Sequence, residues 1–402
     1  MVIPEIMGQV LFLVGVATVG LLIQRLTRLD ITLSALIAGV LSGLLLPHIG
    51  FDTGIRATNI KDLVFYVILP ILIFEAAWHL KPALLRRWLL PILLLSTLGM
   101  LISCGVVAVI LFYAIGAPEG FPWVAALLAG AILAATDPIS VVSSLKKHSA
   151  PEDLTTLVEG ESLFNDASAL VLFAAVLSFA VGAQIEINQN YIAVFLEIFF
   201  GGLLLGLLVG LAGVIVVLVL RDKTASNIVL ILVAFASFYI AEHYFHVSGI
   251  MAVVSAALLS RVLLQEYQQK YVSGIVITLD WLGLTFNCII FVLMGLVITF
   301  DMFTERWLAM LIAIPAALLG RACAVYGCGA LTRLLPHPVA LGWQHVLVWG
   351  GQRGAIAIVL VLSLPVSLPY WWTVQSMVYG VVLFSLLVQG STAFAVIKKY
   401  KA

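Results

Sequence analysis

Charged residues are scarce in this chain, and their scarcity argues against a soluble protein. Asp, Glu, Lys and Arg make up 10% of the 402 residues, whereas a soluble domain carries roughly 25%. Hydrophobic residues make up 63%, and apolar runs of about 20 residues, long enough to cross a bilayer, follow one another along the chain. We therefore expect an all-α integral membrane protein that crosses the bilayer many times.

Other features that the sequence lacks exclude further classes. The four cysteines lie inside apolar runs without metal-ligand spacing, which indicates buried apolar side chains. Lys and Arg balance Asp and Glu at 20 each, so nothing predicts a nucleic-acid partner. The chain has no Gly-x-x-x-x-Gly-Lys loop for ATP, and we expect no cofactor. The first apolar run lacks a basic segment before it and resembles a retained span, not a signal peptide.

Proline, glycine and charge clusters divide the chain into thirteen predicted spans. Basic residues alternate between the loops: fifteen fall on one side and three, Arg56, Lys61 and Arg306, on the other. Cytoplasmic loops hold the excess of Lys and Arg. We therefore expect a multi-pass plasma (inner) membrane protein with the N-terminus outside, the C-terminus cytoplasmic and no soluble regulatory domain. The spans are centred near residues 15, 39, 71, 102, 133, 168, 205, 234, 256, 288, 318, 353 and 384.

Six charged residues fall inside these spans. A charge near the bilayer centre costs at least ~2.5 kcal/mol, so each needs a partner, a water-filled cavity or a function. Four acids against two bases give a negative interior that favours a cation or protons. The six are Glu75, Asp137, Glu161, Asp166, Arg321 and Arg353.

The fifth and twelfth spans carry helix-breaking sequences at mid-depth. Pro138 follows Thr136 and Asp137, and a proline removes a backbone donor, so the helix should unwind and free carbonyl oxygens beside a carboxylate. Gly350 to Gly354 interrupt the twelfth span. Two broken spans in the two halves of a chain are typical of transporters built from inverted repeats, whose broken helices cross at the site. A simple proline kink and glycines that only allow close packing are the alternatives.

The sixth span places polar residues on two adjacent helix faces. Ser162 and Asp166 share one face at i,i+4, and Glu161 and Asn165 share the next. One face could bind an ion while the other organises the site. Glu159 lies roughly 10 Å nearer the cytoplasm. It either lines an entry funnel or solvates the start of the helix.

These motifs, with Phe74-Glu75 and Gln389-Gly390-Ser391-Thr392, together resemble the NhaP-like sodium/proton antiporters of the cation/proton antiporter-1 family. The likeness runs across almost the whole chain in matching order. It implies a homodimer with separate dimerisation and core domains, and elevator-like alternating access. We place the dimerisation scaffold roughly at residues 1–50 and 190–270, and the core roughly at 60–185 and 275–398.

The resemblance also implies a role for each site residue. Asp166 would be the principal ion-binding and proton-carrying carboxylate, and Asp137, Ser162 and the Thr136 backbone would help to coordinate the cation. Asn165 and Glu75 would hydrogen-bond each other. Glu161 would pair with Arg321, or alternatively with Arg353. Asn165 before Asp166 is the pattern that this family associates with electroneutral exchange. Gln352 departs from the leucine of many exchangers.

Coupling would come from competition at one site. If the core moves only when Asp166 is neutralised by a proton or a cation, exchange is obligatory without ATP. We expect Na⁺, with Li⁺ tolerated, to be exchanged for H⁺ in pH homeostasis or salt tolerance.

Potassium/proton exchange is an alternative, since K⁺ uses similar oxygen ligands. A cation channel could also use broken helices and buried acids. An intramembrane aspartyl protease would need a Gly-x-Gly-Asp signature that neither aspartate has.

Overall fold

The computed structural model describes residues 3–45, 63–115, 121–180 and 191–400, and the regular structure in these ranges is helical. The first helices are α1 (Ile3–Thr27), α2 (Ile31–Leu45), α3 (Val64–His79), α4 (Pro82–Ala114), α5 (Trp123–Ala134), α6 (Ile139–Lys147) and α7 (Glu152–Ala180). They are followed by α8 (Tyr191–Leu220), α9 (Lys223–Phe245), α10 (Gly249–Leu263), α11 (Ile275–Val297), α12 (Phe300–Thr332), α13 (Leu341–Gly350), α14 (Ala355–Leu362) and α15 (Trp371–Tyr400).

The described helices agree with the predicted thirteen spans. Eight are long and apolar enough to cross a membrane, and α13 with α14 forms one more span that is bent by 43°. Four shorter apolar helices, α2, α3, α5 and α10, account for the remaining predicted centres. The predicted all-helical membrane fold is therefore confirmed. Arg56 and Lys61, on which part of the orientation argument depends, lie outside the described residues.

The helices pack as two groups. The first group consists of α1, α2, α3, α8, α9, α10 and α11. Glycines let its backbones approach closely: a Cβ at Gly39 of α2 or Gly295 of α11 would overlap the backbone of the facing helix. Gly206 of α8 meets Ala252 of α10 in the same way. Small residues at such contacts allow the close packing that holds membrane helices together.

The second group consists of α4, α5, α6, α7, α12, α13, α14 and α15. It too uses close glycine contacts, because a Cβ at Gly130 of α5 would lie 2.6 Å from the carbonyl oxygen of Cys104 on α4. This group contains both broken spans and the uninterrupted helix α7, which contacts α5, α6 and α14. The polar residues singled out in the fifth, sixth and twelfth spans are therefore all in one packing unit.

This grouping differs from the predicted domain limits at two helices. The sequence interpretation placed α3 and α11 in the core, but α3 packs on α10 and α11, and α11 packs most extensively on α2. Apolar spans show that a helix crosses the membrane, whereas the choice of neighbour depends on glycine contacts such as Gly39 against Val292. Whether the two groups serve as scaffold and moving core is a question of function.

Candidate functional site

The fifth span is broken between α5 and α6. Helix α5 ends at Ala134, the backbone is non-helical through Pro138, and α6 begins at Ile139. The break frees carbonyl groups that α7 takes up. Asn165 Nδ2 donates to the carbonyl oxygen of Ala134 at 2.9 Å and to Thr136 Oγ1 at 3.1 Å. Ser162 Oγ donates to the carbonyl oxygen of Thr136. These bonds fix the unwound segment against α7.

The twelfth span is broken between α13 and α14, and the two breaks touch. The backbone N–H of Asp137 donates to the carbonyl oxygen of Gln352 at 2.8 Å. In return, the N–H of Ala355, at the start of α14, donates to Asp137 Oδ2 at 3.1 Å. Asp137 thus accepts one of the backbone N–H groups that the start of a helix leaves without an intrahelical partner. The predicted crossing of two unwound spans is confirmed.

Asp166 lies on α7 one turn beyond Ser162, so the predicted shared face is present in the uninterrupted helix. Its Oδ1 atom is buried and has no hydrogen-bond partner among the described residues. The carboxylates of Asp137 and Glu161 are near enough to interact with it electrostatically. Asn165 Oδ1 is likewise buried and has no hydrogen-bond partner within the described ranges. Unpaired buried oxygens are costly in a low-dielectric interior, and they are the kind of ligand that a hard cation uses.

Glu161 is paired with Arg321 of α12. Arg321 Nη1 and Nη2 donate to the two carboxylate oxygens of Glu161, each at 2.8 Å, and Nε donates to the carbonyl oxygen of Leu347 at 3.1 Å. The Glu161 residue is 2% exposed and the Arg321 residue 6%. A Cβ at Gly351 would collide with the guanidinium, so glycine is needed where Arg321 passes the break. The pair ties α7 to α12 and α13.

Arg353, the alternative partner for Glu161, is held differently. Its Nη1 donates to the carbonyl oxygen of Gly351 at 2.9 Å, and its backbone N–H donates to Ser385 Oγ at 3.2 Å. Arg353 is buried and its Nε has no hydrogen-bond partner in the described part of the chain. The side chain therefore stabilises the turn of the broken span.

Two residues of α15 support this break and were not assigned roles from the sequence. Gln389 Nε2 donates to the carbonyl oxygen of Trp349 at the end of α13, at 3.0 Å. Ser385 Oγ donates to Gln389 Oε1 at 2.7 Å and accepts from Arg353. Both lie in the π-helical turn Ser385–Gly390. A glutamine in an apolar span was the available signal, because a buried amide needs partners.

Glu75 does not form the expected hydrogen bond with Asn165. The Asn165 amide nitrogen is engaged by Ala134 and Thr136, both on the broken span. Glu75 lies instead beside His79, with Oε1 3.7 Å from Nε2, and His79 Nε2 is 2.7 Å from Asp280 Oδ1 on α11. The correction follows from the packing of α3 against α11, where a Cβ at Gly283 would meet the Glu75 carboxylate.

Two features lie away from the crossing. Donor atoms of Glu75, His79 and Asp280 fall within 4.8 Å of one another, close enough to ligate one ion. Glu159 forms an ion pair with Lys146 at 2.9 Å and is partly exposed. Its side chain thus lies toward the end of α6 and outside the buried contacts of Asp166, a position that suits a lining residue of an entrance.

Known proteins resemble this chain along its whole length. Residues 11–399 match the family model described as "Sodium/hydrogen exchanger, transmembrane". The chain is 33% identical over 393 residues to the Na(+)/H(+) antiporter ApNhaP of Aphanothece halophytica, across 96% of this chain and 72% of that protein. It is 31% identical to the Na(+)/H(+) antiporter NhaH of Halobacillus aidingensis, across 98% of both.

The fold is also that of a solved structure. The sodium proton antiporter MjNhaP1 from Methanocaldococcus jannaschii superposes with a TM-score of 0.82 and 19% identity, over 99% of this chain and 100% of that one. These relatives are transporters, not enzymes. Together with the crossed breaks and the buried carboxylates, they show that this chain belongs to the sodium/hydrogen exchanger family.

Proposed function

We propose that the protein is an electroneutral antiporter that exchanges Na⁺, or Li⁺, for H⁺ across a cell membrane. The observation that carries the proposal is the carboxylate of Asp166 beside two crossed unwound spans. Its Oδ1 is buried and has no hydrogen-bond partner among the residues that the structure describes. The names of the relatives supply the substrates, since each is described as a Na⁺/H⁺ antiporter.

Asp166 is the group for which cation and proton compete. The carboxylate can be neutralised by either one, but not by both at once. The charge of Arg321 is matched by Glu161 and not by Asp166. Asp137, whose Oδ2 accepts the Ala355 N–H, is the second carboxylate proposed to contact the cation. The Ser162 hydroxyl oxygen and the Thr136 segment complete the proposed oxygen donors.

Electroneutral exchange follows if only one carboxylate alternates between binding a proton and binding a cation. Asn165, not a second aspartate, precedes Asp166, and its amide caps the broken span. Glu161 is matched by Arg321 and takes no part in exchange. One carboxylate that carries either one proton or one monovalent cation moves the same charge in both directions.

The alternating movement is proposed to be of the elevator type. The polar contacts of the crossing, from Asn165 to Ala134 and from Asp137 to Gln352, join helices of the second group only. That group can therefore shift as one body against the first group, which would form the scaffold of a homodimer in the lipid bilayer.

The test is proton movement in proteoliposomes loaded with a pH-sensitive dye. Addition of Na⁺ or Li⁺ to vesicles with an imposed pH gradient should move protons through the wild type, at a rate that does not change when the membrane potential is clamped. Asp166→Asn should lower the rate to that of empty vesicles. Glu197→Gln, at an exposed acid of α8 in the first group, removes the same charge and should retain the wild-type rate.

Three outcomes would contradict the proposal. Cation flux without proton movement would indicate a channel, and proton movement with K⁺ alone would indicate potassium/proton exchange. Full activity of Asp166→Asn, in protein that elutes as the wild type does in size-exclusion chromatography, would remove Asp166 from the mechanism.

A further inference from the structure

An open cleft of about 420 Å³ lies away from the crossed spans, between the start of α4 and the segment that follows α12. Ala83, Arg86, Arg87 and Leu90 line it from one face of α4, at the spacing of adjacent helical turns. His337 lines the opposite wall. Both walls lie at helix ends that the distribution of basic residues assigns to the cytoplasmic side.

The cleft carries an excess of positive charge. Arg86 is exposed and has no acidic partner among the described residues. Arg87 is 3.3 Å from the carboxylate of Asp153, and its guanidinium lies 5.8 Å from the centre of the Trp88 ring. Asp153 also accepts a hydrogen bond from Trp88 Nε1 at 2.6 Å, and the adjacent Glu152 is paired with Lys81. The Asp153 carboxylate is shared by Arg87 and Trp88. The Arg86 guanidinium is therefore available to bind an anion.

The surface next to the positive charges is apolar. Leu90 lies one helical turn deeper than Arg86, roughly 6 Å along α4, and is 55% exposed. Leu334, three residues before His337, is 85% exposed. Cationic side chains at the level of lipid head groups, with exposed leucines beneath or beside them, match an amphiphile that has an anionic head and acyl chains. A soluble anion would contact the cationic side chains but would leave the exposed leucines without a partner.

We propose that this cleft binds the head group of an acidic phospholipid of the cytoplasmic leaflet. The phosphate would be bound by Arg86, with Arg87 and His337 at its sides, and an acyl chain would lie along Leu90. Basic pockets at the cytoplasmic ends of membrane helices are suited to such head groups because the lipids of that leaflet supply the opposite charge.

The cleft is connected to the helix that carries Asp166. Trp88 packs on His337 with ring centres 5.9 Å apart, and its indole N–H reaches Asp153 in the first turn of α7. A head group that holds Arg87 and His337 together would therefore steady the start of α7. Binding should raise the temperature at which the purified protein unfolds.

The experiment measures lipid affinity and thermal unfolding of delipidated protein in detergent at 0.15 M salt. The probes are phosphatidylglycerol, phosphatidylcholine of the same chain length, and glycerol 3-phosphate as the soluble phosphate. Phosphatidylglycerol should bind more tightly than phosphatidylcholine and raise the unfolding temperature. Arg86→Gln should weaken phosphatidylglycerol binding about fivefold, the contribution expected of one arginine near an anionic surface.

Lys223→Gln is the matched control, because it removes one exposed positive charge at the start of α9, away from the cleft. It should leave the affinity for phosphatidylglycerol within twofold of the wild type. Equal binding of the two lipids, or equal losses in the two variants, would overturn the proposal. Binding of glycerol 3-phosphate as tight as that of the lipid would assign the cleft to a soluble anion and also overturn it. Both variants should transport normally in vesicles of neutral lipid.

Discussion

At the scale of single residues, the three acids near the crossing have different partners, and these partners distinguish a structural role from a role in transport. Glu161 accepts two hydrogen bonds from Arg321 and is fully matched in charge. Asp137 accepts the Ala355 N–H. Asp166 alone combines an unpartnered buried oxygen with a place beside the crossing. Sequence spacing predicted these positions but could not choose between two arginines for Glu161, because residues from three separate spans determine which guanidinium reaches it.

The Glu161 and Arg321 pair gives a prediction about stability. Glu161→Gln leaves the Arg321 charge buried without its counter-charge, which costs about 3–5 kcal/mol for a pair of this kind. Thermal unfolding in detergent should show a markedly lower midpoint for this variant. The double variant Glu161→Gln with Arg321→Gln should lose less than the sum of the two single losses, because the two side chains interact directly.

Asp166→Asn is the control for that measurement. It also removes a buried carboxylate from α7, but one whose Oδ1 has no hydrogen-bond partner in the described ranges. It should keep the wild-type midpoint or raise it. A midpoint for Glu161→Gln equal to that of the wild type would show that the ion pair contributes nothing to the fold.

At the scale of the elements, the positions of the two helix breaks were predictable from the sequence. The side chains that hydrogen-bond to the freed backbone groups were not. Pro138 and the Gly350 to Gly354 run indicate unwinding by local backbone chemistry. The groups that satisfy the freed backbone come from elsewhere in the chain: Asn165 for Ala134, and Gln389 for Trp349. Such pairings depend on how helices face one another, and nearly uniform apolar spans carry little periodic signal to predict it.

Gly354 gives a prediction about the crossing itself. A Cβ at this position would overlap the carboxylate of Asp137, so Gly354→Ala must displace either Asp137 or the start of α14. We expect Na⁺-dependent proton movement to fall at least about fivefold, since forcing an atom into a packed site costs typically 1–3 kcal/mol. The measurement is the dye assay in proteoliposomes.

Gly327→Ala provides the comparison, because a Cβ on Gly327 of α12 meets nothing within 4 Å. Its rate should equal that of the wild type. If Gly354→Ala transported as well as Gly327→Ala, the contact between Asp137 and α14 would not matter for exchange.

At the scale of the whole molecule, the division into two packing groups was the feature that the sequence predicted least well. The number of spans and the overall fold could be predicted because each span needs about 20 apolar residues. The sequence interpretation placed α3 and α11 with the core, whereas in the structure they pack closely on α10 and α2, and such contacts depend on shape. The observed groups nevertheless put the complete crossing in one unit, which favours movement of that unit as a body.

Distances between spin labels can test this movement. Cysteines for labelling would replace Lys223, in the first group, and Arg333, in the second; both residues are exposed. If the second group shifts against the first, the distance distribution of this pair should change between low pH without Na⁺ and high pH with Na⁺. The pair Lys147 and Arg333 lies within the second group and should keep one distribution. Because the two pairs share Arg333, a change confined to the first pair reports motion between groups and excludes a local change at that residue. Equal changes in both pairs would indicate deformation within the second group and contradict rigid-body movement.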